Sequence, residues 1–431
     1  PVEDLLGGTL GLGIWGVAGD GDGTWTPLGS VTASGTYYGL ALGDVNNDGK
    51  LDLVGAEDGS GVRVWAGDGA GGWSAMTAPP VIAQVWGIAL GDVNDDGYLD
   101  IALGSGEGDG LQVWAGDGAG GWTPASTGLP TEGDYTDLAL ADVDRDGKLD
   151  LVTASPDKGV RAWRGSGGGS WTESSTGLPA GEAYYGLALG DLDHDGMLDI
   201  VASSDGLGLG AWAGSGGTVW SWIDASAELP GSGQYWDVGL SDLNNDGNLD
   251  IAATSYGGGV EAWVGDGGGN WSGESSGLPD TGFYYGLTLG DWDDDGMPDI
   301  SAGQNAGVQA WVDVGIPGGP DGWLQIVSPT TSDSYQGLDV GDWNRDGKLD
   351  IVAASAGGGI QLWEGDGGNT WAEIAAWTNP DLPTSGSYLG VAFGDIDHNG
   401  WLDVVAGSGG EKGILVWRFM DSVAWIESSI G

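Results

Sequence analysis

The sequence DVNNDGKLD at residues 44–52 is the first of eight copies of one nine-residue loop. The others read DVNDDGYLD at 92–100, DVDRDGKLD at 142–150, DLDHDGMLD at 191–199, DLNNDGNLD at 242–250, DWDDDGMPD at 291–299, DWNRDGKLD at 342–350 and DIDHNGWLD at 395–403. We number them loops 1 to 8. Their first residues are 48 to 53 positions apart. A repeat of that period is typical of solenoids, arrays and propellers.

Each loop lies between stretches that have the pattern of short β-strands. In the first repeat, residues 38–43 (YGLALG), 51–56 (LDLVGA) and 61–65 (GVRVW) predict three strands, and an AGDGAGG turn leads to a fourth near Trp73. Glycine and Asp-Gly supply the positive φ that hairpin turns require. Four antiparallel strands in one such repeat are typical of a propeller blade. The sequence therefore predicts an all-β fold, a β-propeller of eight four-stranded blades.

Hairpins outnumber loops by one. A tryptophan that ends a third strand occurs nine times, and the surplus hairpin is the N-terminal one at residues 11–30. We therefore divide the chain into an extra N-terminal β-hairpin at residues 1–30 and an eight-bladed propeller at residues 31–431. The hairpin either packs on the last blade as a flap or inserts into a neighbouring copy, because strand addition to a sheet edge is an established mode of association. The nine tryptophans are Trp15, Trp65, Trp114, Trp163, Trp212, Trp263, Trp311, Trp363 and Trp417.

The loops follow the pattern D-x-[DN]-x-[DN]-G-x-x-D, which suits a hard divalent cation. Positions 1, 3, 5 and 9 offer side-chain oxygens, and position 7 offers a backbone carbonyl. Calcium binds oxygen ligands of these kinds, about six to eight for each ion. Glycine at position 6 lets the chain bend around the ion. Carboxylates packed this closely repel one another unless a cation neutralises them. The sequence therefore predicts about eight bound calcium ions, one for each loop.

The predicted calcium ligands are Asp44, Asn46, Asp48, Lys50, Asp52, Asp92, Asn94, Asp96, Tyr98, Asp100, Asp142, Asp144, Asp146, Lys148, Asp150, Asp191, Asp193, Asp195, Met197, Asp199, Asp242, Asn244, Asp246, Asn248, Asp250, Asp291, Asp293, Asp295, Met297, Asp299, Asp342, Asn344, Asp346, Lys348, Asp350, Asp395, Asp397, Asn399, Trp401 and Asp403. The residues at position 7 among them contribute only their backbone carbonyl.

The charge balance excludes several classes of partner. Lys and Arg number 11 against 64 Asp and Glu, which gives a formal net charge of −53. Such a polyanion repels nucleic acid and anionic membrane surfaces. No apolar run reaches the ~18 residues that a membrane helix needs, so we expect no membrane insertion. Cysteine is absent and both histidines, His194 and His398, occupy position 4 of a loop. Without a nucleophile beside a base, the sequence predicts a protein that is not an enzyme.

The repeat resembles the FG-GAP/VCBS repeats of integrin α-subunit propellers and of many bacterial and archaeal surface proteins. The resemblance rests on the pattern strand, GD, [DN]x[DN]G, xLD, strand, and it extends over residues 8–431. It implies that each loop binds calcium between the first and second strands of a blade, on one face of the ring. The eight repeats and 25 tryptophans differ from the integrin pattern, so an integrin-like ligand is not implied.

The calcium affinity expected of the loops indicates where the protein is located. Calcium sites in extracellular modules have dissociation constants of about 10⁻⁴–10⁻³ M, which cytosolic calcium would not fill. We therefore expect a secreted protein outside the cell or at its surface. The surplus hairpin favours a structural or adhesive role, in which copies self-assemble head-to-tail into a filament or surface layer by hairpin or strand exchange. The expected partner is then a second copy of the chain.

A ring of aromatic residues suggests an alternative function. Aromatic side chains recur where the first strands begin, one strand length from the loops, and therefore on the opposite face. Aromatic platforms of this kind suit stacking against sugars, as in a lectin-like adhesin that binds glycans or cell-surface proteins. The other interpretation is that the rings fill gaps between blades. The candidate glycan-binding residues are Tyr38, Trp86, Tyr185, Trp236 and Tyr285.

Overall fold

The computed structural model describes residues 14–19, 25–30, 37–57, 59–69, 72–80, 84–106, 108–215, 221–293, 295–304, 307–313, 322–325, 334–367, 371–373, 382, 385–395, 401–408 and 414–419. Throughout these ranges the regular structure consists of β-strands, as the sequence predicts. No helix in the described part of the chain is long and apolar enough to cross a membrane.

The strands form repeated antiparallel sheets, and we call the strands around each loop a unit, numbered as its loop. The first strands are β3 (Tyr37–Gly43), β7 (Val85–Gly91), β11 (Asp137–Ala141), β15 (Tyr184–Gly190), β19 (Gly233–Ser241), β23 (Gly282–Gly290), β27 (Tyr335–Gly341) and β31 (Tyr388–Gly394). The second strands are β4 (Asp52–Glu57), β8 (Asp100–Ser105), β12 (Asp150–Ser155), β16 (Asp199–Gly206), β20 (Asp250–Gly257), β24 (Asp299–Gln304), β28 (Asp350–Ser355) and β32 (Asp403–Ser408).

The outer half of each unit is a second hairpin. The third strands are β5 (Gly61–Gly67), β9 (Leu111–Gly116), β13 (Gly159–Gly165), β17 (Gly208–Gly214), β21 (Gly259–Gly265), β25 (Gly307–Asp313), β29 (Gly359–Gly365) and β33 (Ile414–Phe419). The fourth strands are three residues long: β6 (Trp73–Ala75), β10 (Trp122–Pro124), β14 (Trp171–Glu173), β18 (Trp222–Asp224), β22 (Trp271–Gly273), β26 (Trp323–Gln325) and β30 (Trp371–Glu373). In the first unit these bounds confirm the predicted strands to within two residues.

The units stand side by side, with their first strands next to one another. Consecutive first strands from β3 to β31 pack together. Each ends in a small residue because a leucine of the next unit fills the space beside it. A Cβ added at Gly43 would lie 2.6 Å from Leu99. At the end of the series, a Cβ on Gly394 would lie 3.7 Å from Leu42, so the last unit neighbours the first. This arrangement of four-stranded sheets is that of a β-propeller.

Aromatic residues pack both within units and between them. Within a unit, buried first-strand tyrosines meet third-strand tryptophans edge-on, as in the pair Tyr184 and Trp212, whose ring centroids are 5.7 Å apart. Fourth-strand tryptophans reach into the preceding unit. The indole N–H of Trp171 donates to the carbonyl oxygen of Ala125 at 2.8 Å, and Trp271 repeats this contact two units later. These tryptophans are therefore packing residues that join one unit to the next.

Both ends of the described chain meet in the sheet of unit 8. A hairpin of β1 (Ile14–Gly19) and β2 (Trp25–Ser30) joins β31, β32 and β33, in the sheet order β1-β2-β33-β32-β31. Strand β32 pairs with β31 along one edge, and it also pairs with both β33 and β1. The surplus hairpin thus lies against the last unit, and residues 1–13 and 420–431 lie outside the described residues.

Candidate metal centre

The strand register places every loop in the same setting. In all eight units the residue before the loop pairs with the aspartate at position 9, as in Gly43 with Asp52 and Gly394 with Asp403. The nine residues therefore close a tight connection between the first and second strands. Because the units stand side by side, all the loops lie along one face of the molecule.

Within a loop, the side chains at positions 1, 3 and 5 turn inward. In loop 1, Asp44 accepts hydrogen bonds from the backbone N–H groups of Asp48 at 3.0 Å and Gly49 at 2.8 Å. The Oδ1 atom of Asn46 accepts from the Asp48 N–H at 2.9 Å. Loops 2, 5 and 7 repeat these bonds. The backbone thus gathers several side-chain oxygens around one point.

Among the described residues, three loops contain carboxylate groups close enough to share one ion. In each of these loops, oxygen atoms of three aspartates lie within 4.8 Å of one another. Two of the sets use positions 1, 3 and 5, and the set in loop 4 uses positions 1, 3 and 9. The sets are Asp142, Asp144 and Asp146; Asp191, Asp193 and Asp199; and Asp291, Asp293 and Asp295.

Two oxygen atoms in these sets fit a bound cation particularly well. The Oδ1 atoms of Asp142 and Asp191 are buried and accept no hydrogen bond. A buried carboxylate oxygen without a partner is unfavourable, and a hard cation is the partner that an all-oxygen set suits. The residues present therefore fit calcium, which positions 1, 3 and 5 would hold together with the carbonyl of position 7. Bound calcium would supply the positive charge that the loop lacks.

The aspartate at position 9 also has a second role. Asp150 is fully buried, and its two oxygens accept from the N–H of Val143 at 2.9 Å and of Gly165 at 2.9 Å. It therefore ties the loop to the end of the third strand. Burial raises the pKa of Asp150 to about 7 and that of Asp350 to about 8. A nearby cation would oppose that shift, since opposite charge favours the ionised form.

In loops 4 and 7, the residue at position 4 reaches the following loop. Position 4 has the same backbone in several loops. It adopts a left-handed backbone conformation without being glycine, with φ of 56° at Arg145, 59° at His194 and 55° at Arg345. The His194 Nε2 atom lies 2.9 Å from Oδ1 of Asn248, at position 7 of the following loop. Arg345 lies over the ring of Trp401, again at position 7, at 4.3 Å from its centroid. Loops 4 and 5, and likewise loops 7 and 8, are therefore in direct side-chain contact.

Two charged residues outside the motif also reach the loops. Arg164, on β13, donates from Nη2 to Oδ2 of Asp144 and of Asp146, both at 2.8 Å. Burial opposes ionisation of Asp146, but hydrogen bonds from Arg164 and Lys148 outweigh it and lower the pKa of that carboxyl. In unit 7, Glu364 occupies the equivalent place on β29 and accepts from Nδ2 of Asn344 at 3.0 Å. The loop motif alone gives no sign of either residue.

The predicted ligands of loops 1 to 7 all lie in the described part of the chain. In loop 8, Asp395, Trp401 and Asp403 are described, whereas Asp397 and Asn399 lie outside the described residues. Calcium at these residues stays a prediction.

The candidate glycan residues lie at the far end of the first strands. Trp86, Tyr185, Trp236 and Tyr285 are half-buried, and the side chain of Tyr38 lies outside the described residues. Tyr185 and Trp236 form a ring contact with each other, with centroids 5.9 Å apart. Two residues that sequence reasoning missed extend this contact, because Tyr256 lies 6.4 Å from Trp236 and Phe283 lies 4.4 Å from Tyr256.

No curated protein matches the sequence. Solved structures that resemble the chain include a crystal structure of BBS1N in complex with ARL6DN soaked with mercury. It has a TM-score of 0.48 at 12% identity and covers 77% of this chain and 93% of that one. The same complex soaked with lead has a TM-score of 0.46 at 12% identity, and the match covers 77% of this chain and 94% of that one.

A family model described as an FG-GAP-like repeat matches residues 44–103, 92–153, 142–202, 242–302 and 342–406. These matches begin at the first residues of loops 1, 2, 3, 5 and 7, so they coincide with the units seen in the structure. Together they extend over more than half of the chain. The chain therefore belongs to the FG-GAP-like repeat family.

Proposed function

We propose that this chain is a non-catalytic, calcium-stabilised propeller of eight blades that works outside the cell and self-assembles head-to-tail. The joint between copies is an exchanged terminal hairpin. The blade count is supported by the eight consecutive first strands and by the approach of Gly394 to Leu42, which brings the last unit beside the first. The proposed assembly is a filament or a surface layer.

The observation that carries this proposal is the crowded edge of β32. Val405 has a pairing partner in β1, Gly16, and another in β33, Val416. Since β31 takes one edge of β32, the hairpins of β1 and β33 must use the other. An edge can form a full ladder with only one strand at a time. One terminal hairpin of each copy is then available to complete the sheet of a neighbour.

Exchange of this kind has a defined geometrical result. A hairpin near one end of the chain entering the last unit of another copy is a heterologous contact, in which two different surfaces meet. Such contacts produce open filaments unless the rotation between copies closes a ring. The strand pairing itself would supply the affinity, as in other cases of strand addition.

Calcium stabilisation follows from the charge of the loops. The buried, unpartnered oxygens of Asp142 and Asp191 and the raised pKa of the position-9 aspartates both favour a bound cation. At millimolar calcium, sites with dissociation constants of about 10⁻⁴–10⁻³ M contribute roughly 1–2 kcal/mol each to stability. Only outside the cell is free calcium high enough to fill such sites, which supports the extracellular location.

Electron microscopy in millimolar calcium tests the assembly, with a truncated chain as the probe. We expect the full chain to form filaments and a chain that lacks residues 1–30 to be monomeric. Added in small amounts to full-length protein, the truncated chain should shorten the filaments because it cannot extend them at one end. Discrete single rings from the full chain, unchanged by truncation, would reject hairpin exchange.

Carbohydrate binding is the second candidate, and the exposed aromatic array favours it. The array consists of Tyr185, Trp236, Tyr256 and Phe283, at the ends of strands remote from the loops. Tyr256 and Phe283 are 46% and 42% exposed, which is unusual for large apolar side chains in such a cluster. Rings that are partly open to solvent can stack on sugar faces, and the net charge of −53 favours an uncharged sugar.

Binding to an array of neutral glycans tests this candidate. Replacement of both Tyr256 and Phe283 by alanine should abolish any binding seen. The control is Ile223→Ala, since Ile223 is 63% exposed but lies on the outer strand β18. Equal binding by the two variants would reject the aromatic array as a sugar site.

A further inference from the structure

The third strand of unit 3 supplies loop 3 with a counterion. The Nη2 atom of Arg164 lies 2.8 Å from the Oδ2 atoms of both Asp144 and Asp146. The side chain of Asp144 is only 1% exposed, so this ion pair is largely screened from water on the aspartate side. Asp144 and Asp146 belong to the set of carboxylates that could share one metal ion. The guanidinium therefore binds two of the oxygens that a cation in this loop would need.

Loop 4 provides a natural comparison. Loops 3 and 4 both have aspartate at positions 1, 3, 5 and 9, and both contain a buried, unpartnered Oδ1 atom at position 1. They differ at position 7, where Lys148 contacts Asp146 in loop 3 and Met197 stands in loop 4, and in the residue that follows the third-strand tryptophan. This residue is Arg164 in unit 3 and Ala213 in unit 4. The equivalent residues of units 1, 2, 5 and 6 are also uncharged, namely Ala66, Ala115, Val264 and Val312.

We propose that Arg164 competes with calcium for loop 3, so that loop 3 binds the ion more weakly than loop 4 does. This inference rests on the proposed calcium function. Calcium entry into loop 3 requires the guanidinium to leave Asp144 and Asp146, and it places a like charge beside the ion if the side chain stays near. Each charged hydrogen bond lost corresponds to roughly a tenfold change in affinity. We therefore expect loop 3 to be about tenfold to a hundredfold weaker.

The same contact has a consequence at low calcium. The positively charged guanidinium of Arg164 partly neutralises the four carboxylates of loop 3 when no ion is bound. Loop 4 has no cationic residue at the equivalent place. Loop 3 should therefore keep its structure at calcium concentrations at which loop 4 opens. Its response to added calcium should be small and should begin at a higher calcium concentration.

Hydrogen–deuterium exchange across a calcium titration of the full chain tests this inference loop by loop. The midpoint for the peptide of residues 142–150 should lie at a higher calcium concentration than that for residues 191–199. Arg164→Ala and Arg164→Gln should shift the first midpoint down to the second. The reciprocal variant Ala213→Arg should raise the midpoint of loop 4 by about tenfold. Far-UV circular dichroism verifies that each variant folds.

The control is Arg161→Ala, which removes the same charge from the same strand. Arg161 contacts the backbone carbonyl of Pro179 and the carboxylate of Glu173 rather than the loop, so its loss should leave both midpoints in place. If loops 3 and 4 have equal midpoints, and none of these variants changes them, the proposed competition between Arg164 and calcium is wrong. Failure of every loop to respond to calcium would instead reject the proposed calcium function, and with it this inference.

Discussion

Units 3 and 7 have nearly the same loop, yet they surround it with opposite charge. Their loops differ only at positions 2 and 3, where Asp144 of unit 3 corresponds to Asn344 of unit 7. In unit 3, Arg164 binds Asp144, whereas in unit 7, Glu364 accepts a hydrogen bond from the amide of Asn344. The third strand thus compensates for the loop: it adds a cation where the loop has an extra carboxylate, and a carboxylate where the loop lacks one. A loop motif by itself therefore does not determine the charge of its site.

Removal of calcium should produce the largest effect, and units 3 and 7 should respond to it differently. Eight sites of roughly 1–2 kcal/mol each predict that excess EDTA lowers the melting temperature by more than about 10 °C. Hydrogen exchange in EDTA should open residues 342–350 more than residues 142–150, since the third strand brings an arginine to the loop in unit 3 and a glutamate in unit 7. A melting temperature that EDTA leaves unchanged would contradict calcium stabilisation.

Replacement of the position-9 aspartate should destabilise units 3 and 7 to the same extent. Asp150 and Asp350 each accept two buried backbone N–H groups, at 2.9 and 2.9 Å in unit 3 and at 3.1 and 2.9 Å in unit 7. Their replacement by alanine leaves those donors without a partner, so each variant should lose about 2–4 kcal/mol of unfolding free energy. Asparagine keeps one acceptor and should cost less. Denaturant unfolding measures both, and a loss confined to one unit would break the similarity.

A smaller effect on stability concerns the first strand, where units 3 and 5 share a feature that unit 7 does not have at the same position. Units 3 and 5 have buried aspartates, Asp137 and Asp237, where unit 7 has Gly337. Asp237 accepts from the N–H of Leu287 in the next unit at 2.9 Å, and burial raises its pKa from 3.8 to about 7.

Because the folded state holds the proton of Asp237 more tightly than the unfolded state, the unfolding free energy should fall as the pH rises from about 4 to about 7. Asp237→Asn should remove on the order of 1–3 kcal/mol of that fall, measured in saturating calcium so that the loops stay ionised. The exposed Asp109→Asn serves as the control. A pH profile that Asp237→Asn leaves unchanged would contradict this role.

The smallest expected effect concerns Glu364. Glu364→Gln removes a negative charge beside loop 7 but keeps an oxygen that can accept from Asn344. We expect calcium affinity at loop 7 to fall by about threefold to tenfold, since the neutral acceptor no longer attracts the ion. The exchange midpoint of residues 342–350 measures this change. An unchanged midpoint would mean that the charge on the third strand has no influence on the loop.

Much of the fold could be predicted because each repeat carries its own local signals. The Asp-Gly turns fix the hairpins, and the pairing of Gly43 with Asp52 recurs in every unit. Arg164 and Glu364 could not be predicted as partners of the loop. They lie 18 to 20 residues beyond the loop positions that they contact, and only the register of the third strand brings them there.

The aromatic array was predicted only in part for a similar reason. Tyr185 and Trp236 are visible from the start of the first strands, but Tyr256 ends a second strand and Phe283 precedes the usual start of the following first strand. Their contact depends on the added pairing of β20 with β23, where Tyr256 is opposite Phe283. No local pattern in the sequence encodes that pairing between units.

The brevity of the fourth strands has a consequence for how copies can meet. The rim of the molecule is formed by strands of three residues each, in every unit whose fourth strand is described. An edge this short exposes too few free backbone groups to template a ladder with another molecule, and short edges are a known protection against sideways aggregation. In the proposed assembly, growth through sheet pairing would thereby be confined to the two chain ends at unit 8. Such an assembly would lengthen in one dimension while its flanks stay inert.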